Sequence, residues 1–168
     1  MDALPALVFH FDRHGIECLA KDLLMSLGSA ENTWKSNNTR WQEKVQNWNK
    51  WQAQVKTRQR RENAPVKLSF SKAIEEELRD SEPSWLDAFD PLKPLSQFSF
   101  QSTQSKVVGE ELERQIANLV KWNDIPDWVG GCLRRGIGIH HSSLNRRLRQ
   151  LVRSLFRAGT LRVVIATG

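Results

Sequence analysis

Cysteine is scarce: Cys18 and Cys132 are the two in 168 residues. They show no metal-ligand spacing and close at most one disulfide, and the pair reads as reduced thiols of a cytosolic or nuclear protein. Long apolar runs are missing too. The N-terminal run in MDALPALVFHFDRHG is broken by Asp12 and Arg13, which excludes a secretory signal peptide. Nothing approaches the uncharged apolar length that spans a membrane, about 20 residues. The expected compartment is the cytoplasm, with the nucleus as the other possibility. Acid is absent from the last quarter: after Asp127 there is no Asp or Glu, while Arg134, Arg135, Arg146, Arg147, Arg149, Arg153, Arg157 and Arg162 all follow. With a net charge of +6 and a pI near 9.7, the chain points to nucleic acid or another anionic surface.

That acid-free block organises the rest. Gly136 to His140 is short and β-branched and predicts a strand. Leu144, Leu148, Leu151, Val152 and Leu155 then recur at helical spacing, with Asn145 or Ser143 placed to cap the first turn. Gly159 stands where a left-handed residue ends a helix, and Leu161 to Ala166 reads as a buried parallel strand. The unit is a βαβ crossover. Arg146, Arg149, Arg153 and Arg157 fall opposite the apolar stripe. Guanidinium matches phosphate with a planar fork of donors, although a surplus of solvated charge explains the same stripe.

Upstream, Leu4 to Phe11 is a compact apolar run that predicts a buried strand, with Asp12 to His14 as its turn. Ile16, Leu19, Ala20, Leu23, Leu24 and Leu27 follow at helical spacing, and Gly28 is the expected stop. Alternation along the first strand favours His10 in the core, with ligand contact as the other reading. Trp34, Trp41, Trp48 and Val55 recur every seven residues, with Val45 and Trp51 beside them, as on one long amphipathic helix ending near Glu62. Trp residues among cations can stack on bases, but a seam at this spacing is first a packing surface, here for the domain body or a partner helix. Lys56 to Arg61 is a basic cluster at the helix end, read as solvated. Phe70 to Leu78 predicts a short helix, Pro83 to Gln104 a loop, Glu110 to Trp122 a helix with Leu112, Ile116, Leu119 and Val120 on one face, and Pro126 to Leu133 a further short helix. The expected organisation is α/β: a first βα unit over 1–28, a helical and loop insertion over 29–122, and a βαβ part over 123–168.

PALVFHFDR with its helix, together with RRGIGIHHSSLNRRLRQLVRSLFRAGTLRVVIATG, resembles the second RecA-like domain of superfamily-two DExD/H-box RNA helicases. The superkiller-type group and its antiviral-type relatives are the nearer likeness. Val8 to Arg13 match the motif IV strand and its Phe-rich edge. Gly136 to His141 match a Gly-Ile-Gly-x-His-His core, and Val163 to Gly168 match the strand that opens motif V. The family has Ala-Gly where Ser142 and Ser143 stand. The likeness implies a partial RecA-like parallel sheet, with flanking helices and a mostly helical insertion, truncated within motif V. In such a truncated sheet the last strand is expected to expose one edge, giving marginal stability or association through that edge.

The same resemblance implies part of an ATP-dependent RNA helicase, a second motor domain contacting single-stranded RNA through its backbone. Phe11, Arg13, His141, Ser142, Arg146, Arg149, Arg153 and Thr167 are the implied RNA-contacting residues, and Gly168 would face the nucleotide. ATP and Mg²⁺ would enter only with a first RecA-like domain, because GxxxxGK[ST] is absent and no Asp-Glu pair stands in a DExH context. The chain alone is therefore expected to be non-catalytic. The competing reading is a stand-alone RNA- or protein-binding remnant without enzymatic activity. For His141 a capping role stands beside RNA or interdomain contact, and for Arg13 local pairing stands beside phosphate binding. A zinc site at His140 and His141 lacks further ligands at suitable spacing. Ser142 and Ser143 beside His141 lack an acid to orient a catalytic base.

Overall fold

Three short apolar runs separated by helices make a parallel sheet, since parallel neighbours need a long crossover. The computed structural model describes residues 4–62, 89–101, 106–121 and 125–167, and among these the chain is mixed α/β. β1 (Ala6–Phe9) is followed by α1 (Arg13–Asn37) and α2 (Thr39–Glu62). After a 3-10 turn at Ser96–Phe98 come α3 (Lys106–Lys121), α4 (Asp127–Arg134), β2 (Ile137–His140), α5 (Arg146–Arg157) and β3 (Val163–Ala166). The helix expected over Phe70 to Leu78 lies outside the described residues.

The strand order is β1-β3-β2, all parallel. The last strand is thus the central one, and the expectation that it would form an edge is overturned. Both of its sides are taken, by Ala6–Phe9 and by Ile137–His140. β3 is fully buried, whereas Leu7, Val8 and Phe9 of β1 are exposed. The buried first strand read from composition is therefore an exposed edge strand. Apolar content favours burial only where another element covers the sheet.

Alternation sorts the two faces of the sheet. Gly138 turns toward α5: a Cβ there would lie 2.9 Å from Val152 Cγ1 and 3.2 Å from Val164 Cγ2. Ile137 and Ile139 turn to the opposite face, and both are buried. Ile16 and Ala20 of α1, Leu112 and Ile116 of α3, and Val129 and Leu133 of α4 complete the same core. The Cys132 Sγ–H donates to Ala20 O at 3.7 Å, and burial pushes that thiol up to about 12. Both cysteines are free thiols.

Gly136 belongs to the turn before β2 rather than to the strand. Its φ is +74°, and a Cβ would sit 2.3 Å from Gln101 N, so backbone occupies the place of any side chain. Gly159, at φ +72°, follows α5 in the left-handed conformation. At the other end of α5 the Asn145 Oδ1 accepts from Arg147 N–H at 2.7 Å. Asn145→Ala is expected to lower stability by about 1 kcal/mol, read as a lower urea midpoint at unchanged slope, while Asn145→Ser recovers most of it.

Gly28 does not stop the first helix: α1 runs on to Asn37. A glycine in a helix interior costs about 1 kcal/mol relative to alanine, and an ion pair one turn further on offsets that cost. Glu31, buried, receives Arg135 Nη2 at 2.6 Å and Leu95 N–H at 3.2 Å. Arg135 also donates to Phe98 O at 2.8 Å, and its own carbonyl accepts from Phe100 N–H at 2.7 Å.

The described chain forms two compact units, residues 1–33 with 94–168, and 34–93. Within the second, the tryptophan seam is not carried by one helix. Asn38 interrupts it, and the Asn38 Oδ1 accepts from Trp41 N–H at 2.9 Å, starting α2. Asparagine offers the backbone this alternative to a helical bond. Trp34 and Trp41 meet edge to face across the break, with centroids 6.1 Å apart, and Phe89 lies 5.2 Å from Trp41. Trp48, Trp51 and Val55 are half-buried on α2.

Candidate nucleic-acid interface

Parallel strands end at one edge of a sheet, and in open α/β sheets that carboxyl edge is where ligands bind. Phe9, Ala166 and His140 form one row across β1, β3 and β2. Past that row come His10 to Arg13 from β1, Thr167 from β3, and His141 to Asn145 from β2. Two bonds extend the ladder: His10 N–H to Ala166 O at 2.9 Å and Thr167 N–H to His140 O at 3.1 Å. Thr167 is half-buried there, and Gly168 lies outside the described residues.

Arg13 opens α1 and its guanidinium donates to the Ser143 hydroxyl, which joins residues 130 apart in sequence. Asp12 caps the same helix, accepting from Gly15 N–H at 2.8 Å. That bond, followed by His14, holds its carboxyl below the usual carboxylate range. His10 is exposed, not turned into the core: it lies past the edge strand's last residue, and its Nδ1 accepts from Asp12 N–H at 3.1 Å. Phe11 stands fully in solvent.

The two adjacent histidines turn to opposite faces. His140 faces α5, where burial first, then the charges of Arg153 and Arg149, lower its proton affinity and favour neutral imidazole. His141 is 3% exposed on the other face, with Nε2 3.5 Å from Glu17 Oε1 of α1. That separation suits an ion pair but no hydrogen bond forms, so neither ring nitrogen is bonded. Ser142 and Ser143 on the loop above are exposed.

α5 presents the cations. Leu148, Val152 and Leu155 are buried beneath it, while Arg146, Arg147, Arg153 and Arg157 are exposed. Arg149 is half-buried with its Nε enclosed, and Arg153 Nε donates to Arg149 O at 3.3 Å. Arg134 and Arg135 leave this stripe. Arg134 Nε reaches both carboxylate oxygens of Glu113 on α3 at 3.0 Å, and Arg135 pairs with Glu31. The acids that neutralise them lie outside the acid-free stretch, which is why the last quarter reads as more uniformly basic than it is.

Arg13, Ser142, Arg146 and Thr167 thus belong to one edge, with Phe11 on its rim and His141 beneath its loop. Arg149 and Arg153 continue along α5. Glu17, which sequence reasoning missed, sits one turn after Arg13 on the same helix face; that i, i+4 spacing is the signal that could have found it. Among the described residues no group of His, Cys, Asp or Glu could hold a metal ion, and no helix is long and apolar enough to cross a membrane.

No family model matches the chain. Over 73 residues it is 37% identical to the DExH-box ATP-dependent RNA helicase DExH13 of Arabidopsis thaliana. The match covers 44% of this chain and 3% of that protein, and supports a helicase relationship.

Proposed function

We propose that the chain contributes to the second, RecA-like motor domain of an ATP-dependent RNA helicase, where its carboxyl sheet edge holds the backbone of single-stranded RNA. One observation carries this reading: three strand ends and the first turn of α5 bring Arg13, Ser142, Arg146 and Thr167 to one edge, to which β2, β3 and α5 add no carboxylate. Guanidinium, hydroxyl and helix N-terminal N–H groups are donors to phosphate, and contacts of this kind position a strand without reading its sequence. Arg149 and Arg153 extend the track along α5. His141 acts from below, where its packing against Glu17 supports the loop that carries Ser142 and Ser143.

ATP and Mg²⁺ belong to this reading only with a first RecA-like domain alongside, Gly168 facing the nucleotide. The residues present do not fit the group by themselves: the sequence has no phosphate-cradling loop with its lysine, and the described residues offer no carboxylate cluster for Mg²⁺. In this reading the chain's work is binding and positioning, carried out in the cytoplasm.

The test is anisotropy of a labelled single-stranded RNA against salt. With about four phosphates engaged, affinity should fall roughly 50-fold between 50 and 200 mM salt. ATP turnover by the 168 residues alone should be absent. Salt-independent binding would remove the backbone-holding role, and ATP hydrolysis would remove the claim that the chain is not catalytic by itself.

A further inference from the structure

The outward apolar residues of β1 are not all alike. Leu7, Val8 and Phe9 lie within the sheet, beside Val164, Ile165 and Ala166 of β3. Phe11 lies past it. It follows the last ladder bond, from His10 N–H to Ala166 O, and precedes the capping residue Asp12 and the guanidinium of Arg13. It stands two residues past Phe9, the last residue of β1 in register with β3, opposite Ala166. Its ring is wholly exposed, at 106% of the reference, against 65% for Phe9.

An exposed aromatic ring two residues before Arg13, on a sheet edge that also carries Ser142 and Thr167, is poorly suited to an apolar protein partner, which would have to desolvate polar groups to cover it. It suits a ligand with alternating flat apolar and anionic parts. The charge around it selects the same ligand. The Asp12 carboxylate accepts from the Gly15 N–H, Glu17 one turn along α1 lies against His141, and no acid from the β2–α5 loop, α5 or β3 opposes Arg13 and Arg146. A single-stranded nucleic acid has both parts. Its phosphates suit the arginines, and its unpaired bases offer faces that stack on aromatic side chains whatever their identity. A duplex keeps those faces covered.

We infer that Phe11 is a base-stacking residue, which makes this edge selective for unpaired bases as well as for phosphate. The inference rests on the nucleic-acid reading above and adds a contact to the bases, where that reading has only the backbone. Nothing local requires Phe11 for folding, since its side chain is outside the core.

The experiment compares the full chain with Phe11→Ala and Phe11→Trp on two labelled oligomers of equal length, a single-stranded RNA and an abasic sugar-phosphate backbone. Phe11→Ala should bind the RNA roughly tenfold more weakly, with the salt slope unchanged, and Phe11→Trp should bind as the natural chain does. On the abasic oligomer all three should bind alike. Equal RNA affinity of Phe11→Ala and the natural chain would overturn the stacking role and leave the backbone reading standing. So would an equal loss on the abasic oligomer. A Phe11→Ala chain that binds RNA normally but sediments as a smaller species would make the ring a protein contact instead. No RNA binding by the natural chain would overturn both readings together.

Discussion

Reversing the charge of Arg146, Arg149 and Arg153 to Glu is expected to abolish detectable RNA binding. Each phosphate contact to a single strand carries about 0.7 log unit of affinity at 0.1 M salt through counterion release. Three lost contacts therefore weaken binding by about 100-fold, and three carboxylates facing the strand weaken it further. Because non-specific affinities start at roughly micromolar to 0.1 mM, the variant falls below an ordinary titration. Arg146 and Arg153 are exposed, away from the buried Leu148, Val152 and Leu155, so helical content should persist by circular dichroism. Arg149 is half-buried and its alkyl stem contributes packing; Arg149→Gln with Arg146→Glu and Arg153→Glu separates that from charge. A second readout needs no RNA. The positive charges of Arg153 and Arg149 help to keep His140 neutral, so carboxylates in their place should raise its titration, visible in imidazole resonances. Unchanged RNA affinity alongside a shifted His140 would show that α5 is altered as intended and is not the binding face.

Glu31→Ala is expected to cost about 3–5 kcal/mol of folding stability, the range for removing one partner of a buried ion pair. It leaves Arg135 facing a void and takes the acceptor from Leu95 N–H, while Arg135 still has Phe98 O. Against a total of roughly 5–15 kcal/mol, the loss is large enough to populate the unfolded state under mild conditions. Urea unfolding of the whole chain measures it. Glu31→Gln should lose less because an amide oxygen still accepts. The pair Glu31→Leu with Arg135→Met should lose less than Glu31→Leu alone, since the apolar double leaves no charge behind. A loss under about 1 kcal/mol for Glu31→Ala would show that the pair is solvated and weak.

What could be read from the chain was whatever local spacing determines. The Leu148, Val152, Leu155 stripe, the cap at Asn145 and the left-handed Gly159 all lie within one helix and its ends, and each is found where spacing predicts it. The parallel β2–α5–β3 crossover followed from the same reasoning. Misreadings arise where a distant partner decides. Gly28 resembles a stop until Glu31 is seen to hold Arg135. The tryptophan heptads resemble one helix until Asn38 caps a second one. His10 reads as core because alternation along a strand predicts a face but not whether that face is covered. At the candidate interface, helical spacing put Arg146 and Arg153 on the exposed face of α5 but did not show Arg149 half-buried or Arg13 in contact with Ser143, because nothing local links residues on two different strand ends.

The central position of β3 also governs when the sheet can exist. Ala6 finds its neighbour only at Val163, and Ile137 waits for the same residue. On a chain emerging from the ribosome, the earliest strand is made first and paired last, while helices close within their own lengths. Leu7, Val8 and Phe9 therefore lack this partner until Val163 to Ala166 have been made, and stay until then an apolar ribbon open to chaperones or to a neighbouring chain. β3 acts as the joining element among the described strands, bringing the two ribbons of β1 and β2 into one sheet once it is made.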